Sequence, residues 1–179
     1  MTDAPRQLGG TEMKRLHRTW RRRTTAPVSL LLDGVQNPFN VGAIVRSAAA
    51  LGVDHLWLAG DTADPAGAKT QKTALGTQRY LRWTHVEDPM EAVAAVRGAG
   101  GRVVGVELAS GAAPLHELDL TGGVCLAIGH EDRGLHRSVL AACDAVGYVP
   151  LVGRVGSLNV AAAAAIALYE VRRQEWAGG

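Results

Sequence analysis

The sequence predicts an α/β protein in which a parallel sheet is flanked by helices. Apolar runs of strand length, such as 28–33 and 123–128, alternate with helical segments at short spacing. These runs are continuously apolar, as is typical of strands that are buried on both faces. The chain has 179 residues, which is the size of one domain, and its 22 glycines indicate many turns and close backbone contacts.

The predicted elements follow the chain in a regular order. Strands are predicted at 28–33, 55–59, 80–84, 102–107, 123–128 and 146–150, and helices at 11–23, 38–51, 89–98, 135–142 and 157–175. Two of the helices begin with a polar N-cap followed by proline, at Asn37-Pro38 and Asp88-Pro89. The segment 61–76 is polar and rich in Gly, Thr and Lys, so we expect a loop there with about one helical turn.

The N-terminal segment 14–23 is strongly basic, although the net charge of the chain is only +2. Six positive charges fall within ten residues that contain no acid. Such an arm suits a polyanion, because each phosphate that is neutralised releases a counterion. A solvated basic helix without a partner is the alternative. We divide the chain into a basic arm, 1–23, and one domain, 24–179. The predicted phosphate-binding residues of the arm are Lys14, Arg15, Arg18, Arg21, Arg22 and Arg23.

Cysteine usage and hydropathy predict a cytoplasmic location. Cys125 and Cys143 do not form a Cys-x-x-Cys pair, so buried reduced thiols are expected. The N-terminus has no apolar segment of the secretory type. The longest apolar stretch, 160–168, falls far short of the ~20 residues that cross a membrane, so we expect no membrane partner.

Three segments place small and polar residues at the ends of predicted strands, where open parallel sheets bind ligands. They are 37–46, 126–135 and 150–160. The first strand is not followed by a G-x-G-x-x-G motif, and Gly67-Ala-Lys-Thr70 lacks the earlier glycine of a phosphate loop, since Thr62 stands there. These absences disfavour dinucleotide and ATP binding.

The three segments resemble, in order, the three motifs of the SpoU (TrmH) family of RNA ribose 2′-O-methyltransferases, within the SPOUT superfamily. The matching residues are Asn40-Val-Gly-Ala-Ile-Val-Arg46, then Gly129-His-Glu-Asp-Arg-Gly134, then Ser157-Leu-Asn-Val160 after Pro150. The similarity covers roughly 28–170. It implies a SPOUT-type sheet with a deep C-terminal trefoil knot, a homodimer, S-adenosylmethionine as cofactor, and tRNA or rRNA as substrate.

The resemblance also assigns roles to residues. It makes Arg46 the central catalytic residue, and it has Asn40, Glu131, Ser157 and Asn159 position the arginine, the cofactor tail and the substrate. A guanidinium essentially never loses its proton, so a charged Arg46 that grips the adjacent phosphate is the easier role than a general base. The cofactor-binding residues implied by the motifs are Gly129, Val149 and Leu158 against the adenine, with Val106 and Leu151 lining the pocket.

Several expectations concern the surroundings of this site. Relatives often carry a Thr near Val106, where this chain has Val106-Glu107, so a side-chain contact to the cofactor is in question there. His130 and His136 do not have a zinc-site spacing, and we expect no metal. Additional phosphate-binding candidates in the polar loop are Lys69, Lys72 and Arg79.

Two other functions remain open at this point. One is a SPOUT-type enzyme that methylates a base nitrogen. The other is a non-catalytic RNA-binding or ribosome-assembly protein with the same fold. Taken singly, the motif residues also have ordinary structural explanations: Ser157 and Asn159 could merely cap the last helix, and Asn40 could be a polar residue in a first helical turn.

Overall fold

A computed structural model describes residues 4–178 and contains a seven-stranded sheet within them. Every strand pair is parallel, in the order β3-β2-β1-β6-β4-β7-β5. The predicted fold class is confirmed. The strands are β1 (Val28–Asp33), β2 (His55–Ala59), β3 (Arg82–Val86), β4 (Arg102–Val106), β5 (Ala113–Pro114), β6 (Val124–Gly129) and β7 (Ala145–Tyr148).

Six α-helices occur in the same residues, and helices pack on both faces of the sheet. They are α1 (Gly10–Arg22), α2 (Pro38–Ala50), α3 (Ala68–Ala74), α4 (Pro89–Gly98), α5 (Arg137–Ala142) and α6 (Val160–Ala177). Asn37 and Asp88 cap α2 and α4 through their side chains, and proline follows each cap, as predicted.

The central strands are buried on both sides, which explains their continuously apolar sequences. In β1, Leu30 and Leu32 pack toward α2 and α6, whereas Leu31 packs toward α4. In the neighbouring strand β6, Ile128 faces the α2 and α6 side and Ala127 the other. Neither layer can form without the sheet between them.

The strand order brings distant parts of the chain together at one edge of the sheet. The chain builds β1, β2 and β3 outward, returns to form β4, and later inserts β6 between β1 and β4. The carboxyl ends of β1, β6 and β4 are therefore neighbours, and the loops that follow them meet. The trefoil knot implied by the resemblance is not decided by strand order and stays a prediction.

A buried guanidinium fastens the C-terminal helix α6 to the rest of the fold. Arg172 is 2% exposed and donates hydrogen bonds to the carbonyl oxygens of Ala26, Leu51 and Gly52. It also pairs with Glu175 at 2.8 Å. Burial works against the charged form of Glu175, but the N–H groups of Ala26 and Thr25 and the guanidinium outweigh it and hold its pKa below the usual range.

Some element predictions were wrong in detail. The segment 61–76 contains α3, because Thr70 and Ala74 are buried against α2. The two helices pack so closely that a side chain at position 42 would collide with Thr73, so only Gly42 fits there. The last helix begins at Val160 rather than 157, since Asn159 caps it. The third strand begins two residues late, at Arg82, and the two-residue strand β5 was not predicted.

Both cysteines are unpaired. Cys125 is buried, as predicted, whereas Cys143 is only half-buried. Burial raises the pKa of the Cys125 thiol to about 12 and that of Cys143 to about 11, so both thiols are protonated at neutral pH. Within residues 4–178, none of the helices has the length and apolarity required to cross a membrane.

Removing the buried guanidinium should destabilise the protein strongly. Arg172→Met leaves the Glu175 carboxylate without its cation and three carbonyl groups without a donor, so we expect the free energy of unfolding to fall by about 3 to 5 kcal/mol. Arg173→Ala is the matched control, because Arg173 pairs with Glu170 at the surface and its loss should cost under about 1 kcal/mol. Urea unfolding of both variants measures the difference, and equal losses would contradict it.

Candidate functional site

A cavity of about 610 Å³ lies at the carboxyl edge of the sheet, between the loops that follow β4, β6 and β7. Its walls combine apolar side chains and glycines with the charged side chains of the loop after β6. All five residues predicted to bind a cofactor line it: Val106, Gly129, Val149, Leu151 and Leu158. The fold thus brings together positions that are up to 52 residues apart in the sequence.

Beside the cavity, a chain of hydrogen bonds joins the three motif segments. The side-chain amide of Asn159 donates to Oδ1 of Asn40 at 3.0 Å. Asn40 in turn donates from Nδ2 to Oε1 of Glu131 at 2.8 Å. These residues are separated by 119 and 91 positions in sequence, so their contact is a product of the fold and not of local structure.

The N-terminus of α6 fixes the direction of this chain. Oδ1 of Asn159 accepts from the N–H groups of Ala161 and Ala162, as an N-cap does. Its amide nitrogen must therefore point away from the helix, toward Asn40, which presents its own oxygen. The nitrogen of Asn40 is then directed at Glu131, whose carboxylate can only accept. Only one orientation of the two amide side chains therefore gives each donor in this chain an acceptor.

Two carboxylates from neighbouring strands hold the loop that carries Glu131. The loop closes on itself through reciprocal hydrogen bonds between the backbones of His130 and Gly134. Asp33, the last residue of β1, accepts from the N–H of His136 at 2.7 Å. Glu107, directly after β4, accepts from the N–H of Leu135 at 3.1 Å. Because β6 lies between β1 and β4, the loop is anchored on both sides.

Glycine is required at two positions of this loop. A side chain at Gly129 would collide with the backbone of Gly134 and Leu135. Gly134 has φ +69°, which is in the left-handed region, and the Glu107 carboxylate occupies the space where a Cβ would lie. The turn can therefore press close to the cavity and present backbone to it.

The loop 149–159 leaves apolar side chains uncovered at the mouth of the cavity. Leu151 and Leu158 line the cavity while remaining partly exposed, and Val155 is 65% exposed beside them. Apolar groups grouped around a concave site are typical of a surface that a ligand covers.

The remaining two predicted catalytic residues are placed differently. Ser157 lines the cavity, and its hydroxyl makes no hydrogen bond with residues 4–178. Arg46 is exposed on α2, about 9 Å along the helix axis from Asn40, and does not line the cavity. No carboxylate of the described residues lies within 4.0 Å of its guanidinium. The structure therefore brings four of the five residues together, whereas the arginine lies six residues further along α2 from Asn40.

A second, more open groove adjoins the cavity and shares His130, Glu131 and Asp132 with it. Phe39, the only phenylalanine of the chain, is 50% exposed at this groove, and Lys69 lies on its rim. Glu131 thus stands between two concave surfaces. A ligand in the cavity and a ligand in the groove would therefore meet at the carboxylate of Glu131.

The basic residues of the arm lie on α1, apart from Arg23, which follows the helix as its C-cap, and all of them are exposed. Lys14, Arg15 and Arg18 make no side-chain hydrogen bond with residues 4–178. Arg23 is engaged, since it donates to the carbonyl of Trp176 and lies over the ring of Trp20. The boundary predicted between arm and domain therefore falls within a contact with α6.

Of the loop candidates for phosphate binding, Lys69 and Lys72 are exposed on α3. Arg79 is exposed as well, but it stacks on Tyr80 and donates to its hydroxyl. Within residues 4–178, no group of three or more His, Cys, Asp or Glu side chains is arranged to hold a metal ion.

Sequence reasoning missed the two carboxylates that anchor the central loop. Asp33 and Glu107 each end an apolar strand, at the edge where the site was predicted. The signal in the sequence was an acidic residue at the carboxyl end of each of the two strands that flank β6, the strand that leads into the second motif. The groove with Phe39 was not predicted either, because the exposure of a single aromatic cannot be derived from the sequence.

The model of the SpoU rRNA Methylase family matches residues 27–169. The chain is 35% identical over 154 residues to the 23S rRNA (guanosine-2′-O-)-methyltransferase RlmB of Coxiella burnetii, covering 86% of this chain and 61% of that protein. It is 34% identical over 171 residues to the 23S rRNA (guanosine(2553)-2′-O)-methyltransferase RlmP of Bacillus subtilis, covering 96% and 66%.

Solved structures show the same similarity. The SpoU methyltransferase AviRb from Streptomyces viridochromogenes, in complex with the cofactor AdoMet, superposes with a TM-score of 0.78 at 34% identity, covering 88% of this chain and 64% of that one. The chain spans less than two thirds of the length of RlmB, RlmP and AviRb.

Two substitutions at Asn159 should separate its two hydrogen-bonding roles. Asn159→Ala removes the cap of α6 and should lower the free energy of unfolding by about 1 kcal/mol. Asn159→Asp keeps the cap, so it should retain most of that stability, but its second oxygen then faces Oδ1 of Asn40 and cannot donate to it. Thermal unfolding and the NMR signals of the Asn40 side-chain amide report the two effects. If Asp destabilises as much as Ala, the cap is not the source of the loss.

Proposed function

The chain belongs to the SpoU rRNA Methylase family, and on that basis we propose that it transfers a methyl group from S-adenosylmethionine to a ribose 2′-hydroxyl of RNA. The observation that carries the proposal is the hydrogen-bonded chain of Asn159, Asn40 and Glu131 beside the cavity. It joins all three motif segments at one point. Because the relatives named above are 23S rRNA methyltransferases, we propose rRNA ahead of tRNA as the substrate.

The cavity suits the cofactor. Gly129, Val149 and Leu158 offer backbone and apolar contacts for an adenine ring, and Val106 and Leu151 complete the walls. The partly exposed leucines of the loop 149–159 would be covered by such a ligand. When bound, the cofactor supplies an already activated methyl group on a sulfonium, so the protein has to position the acceptor and manage one proton.

We place the target nucleotide in the groove beside Glu131. Only Oε1 of Glu131 accepts from Asn40, so Oε2 can accept the hydrogen of the ribose hydroxyl. Asn40 keeps the carboxylate in place, and α6 keeps Asn40 in place through Asn159. The half-exposed ring of Phe39 offers a surface on which an unpaired base can stack.

Arg46 serves, in this proposal, as a clamp for an RNA phosphate next to the target ribose. Its side chain is exposed and free of carboxylate partners among residues 4–178, which leaves the whole guanidinium fork for a bidentate contact. Lys69 and Lys72 on α3, which packs against α2, extend a positive surface from the groove.

The basic arm and a second subunit complete the proposal. The arm adds general affinity for the RNA backbone through Lys14, Arg15 and Arg18. We further propose a homodimer in the cytoplasm. Its support is a set of uncovered apolar side chains on α6, where Ile166 is 43% and Tyr169 54% exposed, and on α1, where Leu16 is 44% exposed.

Methyl transfer from labelled S-adenosylmethionine to 23S rRNA and to total tRNA, followed by nucleoside analysis, tests the function. We expect a labelled 2′-O-methyl nucleoside. A labelled base would indicate a base methyltransferase instead. Cofactor binding without transfer to any RNA would favour a non-catalytic RNA-binding protein.

Substitutions of Arg46 test the phosphate clamp. Arg46→Ala should lower kcat/KM by about 100-fold, which is the loss of about 3 kcal/mol of charged hydrogen bonding. Arg46→Lys keeps the charge but loses the fork, so it should recover only part of the activity. Near-normal turnover by the lysine variant would contradict bidentate binding. Unchanged S-adenosylmethionine affinity in both variants shows that the fold is intact.

The arm should govern the salt dependence of RNA binding. Replacing Lys14, Arg15 and Arg18 together by Ala removes three phosphate contacts, so the slope of log K against log salt should become shallower by about 2. The control replaces Arg97, Arg102 and Arg173, each already paired with an acid, and should leave the slope nearly unchanged. Equal slopes in wild type and the arm variant would show that the arm does not bind RNA.

A further inference from the structure

Glu107 is a carboxylate that faces the cavity at its β4 wall. It follows Val106 directly and lines the cavity together with Gly134. Its Oε2 accepts from the N–H of Leu135 at 3.1 Å, and its Oε1 accepts from the N–H of Leu108 at 3.2 Å. The side chain thus has a fixed position between the loop after β4 and the loop after β6.

The carboxylate retains hydrogen-bonding capacity that the protein does not use. A carboxylate can accept about four hydrogen bonds, and Glu107 receives only these two from residues 4–178. Among the same residues, no Lys, Arg or His lies within 4.0 Å of it. These unused acceptor positions are available to a ligand in the cavity that Glu107 lines, and adjacent donors on the ligand would match them.

The position along the cavity indicates which part of the cofactor this is. Apolar side chains suited to an adenine line the same cavity as Glu107, at Val106, Val149 and Leu158, whereas the reacting end is marked by Glu131 and Asn40. The ribose of an adenosine lies between its base and its reactive sulfur. Its 2′ and 3′ hydroxyls are two adjacent donors that one carboxylate can bind together.

We propose that Glu107 binds the ribose 2′ and 3′ hydroxyls of the cofactor's adenosine while it anchors the loop of Glu131. This inference rests on the proposed function. The physical solution is the one found in dinucleotide-binding sheets, where an acid at the end of a parallel strand binds a ribose hydroxyl. Binding of the cofactor and the position of Glu131 are coupled through this one side chain.

Calorimetry with three ligands tests the proposal: S-adenosylhomocysteine, 5′-methylthioadenosine and 5′-methylthio-2′-deoxyadenosine. Wild type should bind 5′-methylthioadenosine about tenfold more tightly than its 2′-deoxy analogue, because a charged hydrogen bond is lost. Glu107→Gln keeps an acceptor for the N–H of Leu135 and should preserve the loop. It should lower the affinity for S-adenosylhomocysteine and for 5′-methylthioadenosine by about tenfold. It should also largely remove the discrimination against the 2′-deoxy ligand.

Control measurements separate this proposal from the alternative roles of Glu107. Asp132→Asn removes a charge from the same cavity and should leave the discrimination against the 2′-deoxy ligand in place. If Glu107→Gln weakens the binding of S-adenosylhomocysteine but not that of 5′-methylthioadenosine, the carboxylate binds the amino group of the cofactor's amino-acid tail, and the proposal is wrong. Equal wild-type affinity for the two methylthio ligands also overturns it, whatever the variant does. Wild type that binds none of the three would overturn the proposed function as well.

Discussion

The side-chain amide of Asn40 connects the three segments from which the site is built. It accepts from Asn159, whose own oxygen caps α6, and it donates to Glu131. The direction of every donor in this chain follows from the unpaired N–H groups at the start of a helix. A structural requirement of α6 therefore orients a carboxylate that stands between two concave surfaces.

The rest of the fold keeps those three segments in register. Arg172 ties α6 to the chain before β1 and to the end of α2, so the helices that carry Asn159 and Asn40 cannot shift independently. Asp33 and Glu107 anchor the loop of Glu131 from the two strands beside β6. The side chains that position the site thus come from the strand ends that define its location. Binding and positioning depend on one set of contacts.

The sequence predicted the sheet, and the residues that belong to the site, better than it predicted how those residues are arranged. Continuous apolar runs located six of the seven strands, and three motifs located the residues of the cavity. The position of Arg46 outside the cavity could not be predicted, because it depends on the direction of α2 relative to the sheet. The helix α3 was predicted only as about one turn within a loop, because its stability comes from packing against Gly42 and not from its polar composition. The roles of Asp33 and Glu107 required the strand order.

A double-mutant cycle on methyl transfer would test most directly whether Asn40 and Glu131 act as one unit. The rates to compare are those of wild type, Asn40→Ala, Glu131→Gln and the double variant, with S-adenosylmethionine affinity measured alongside. If the amide acts only by holding the carboxylate, the double variant should be about as slow as the slower single variant. Losses that multiply in the double variant would show that the two side chains act independently and would contradict the account.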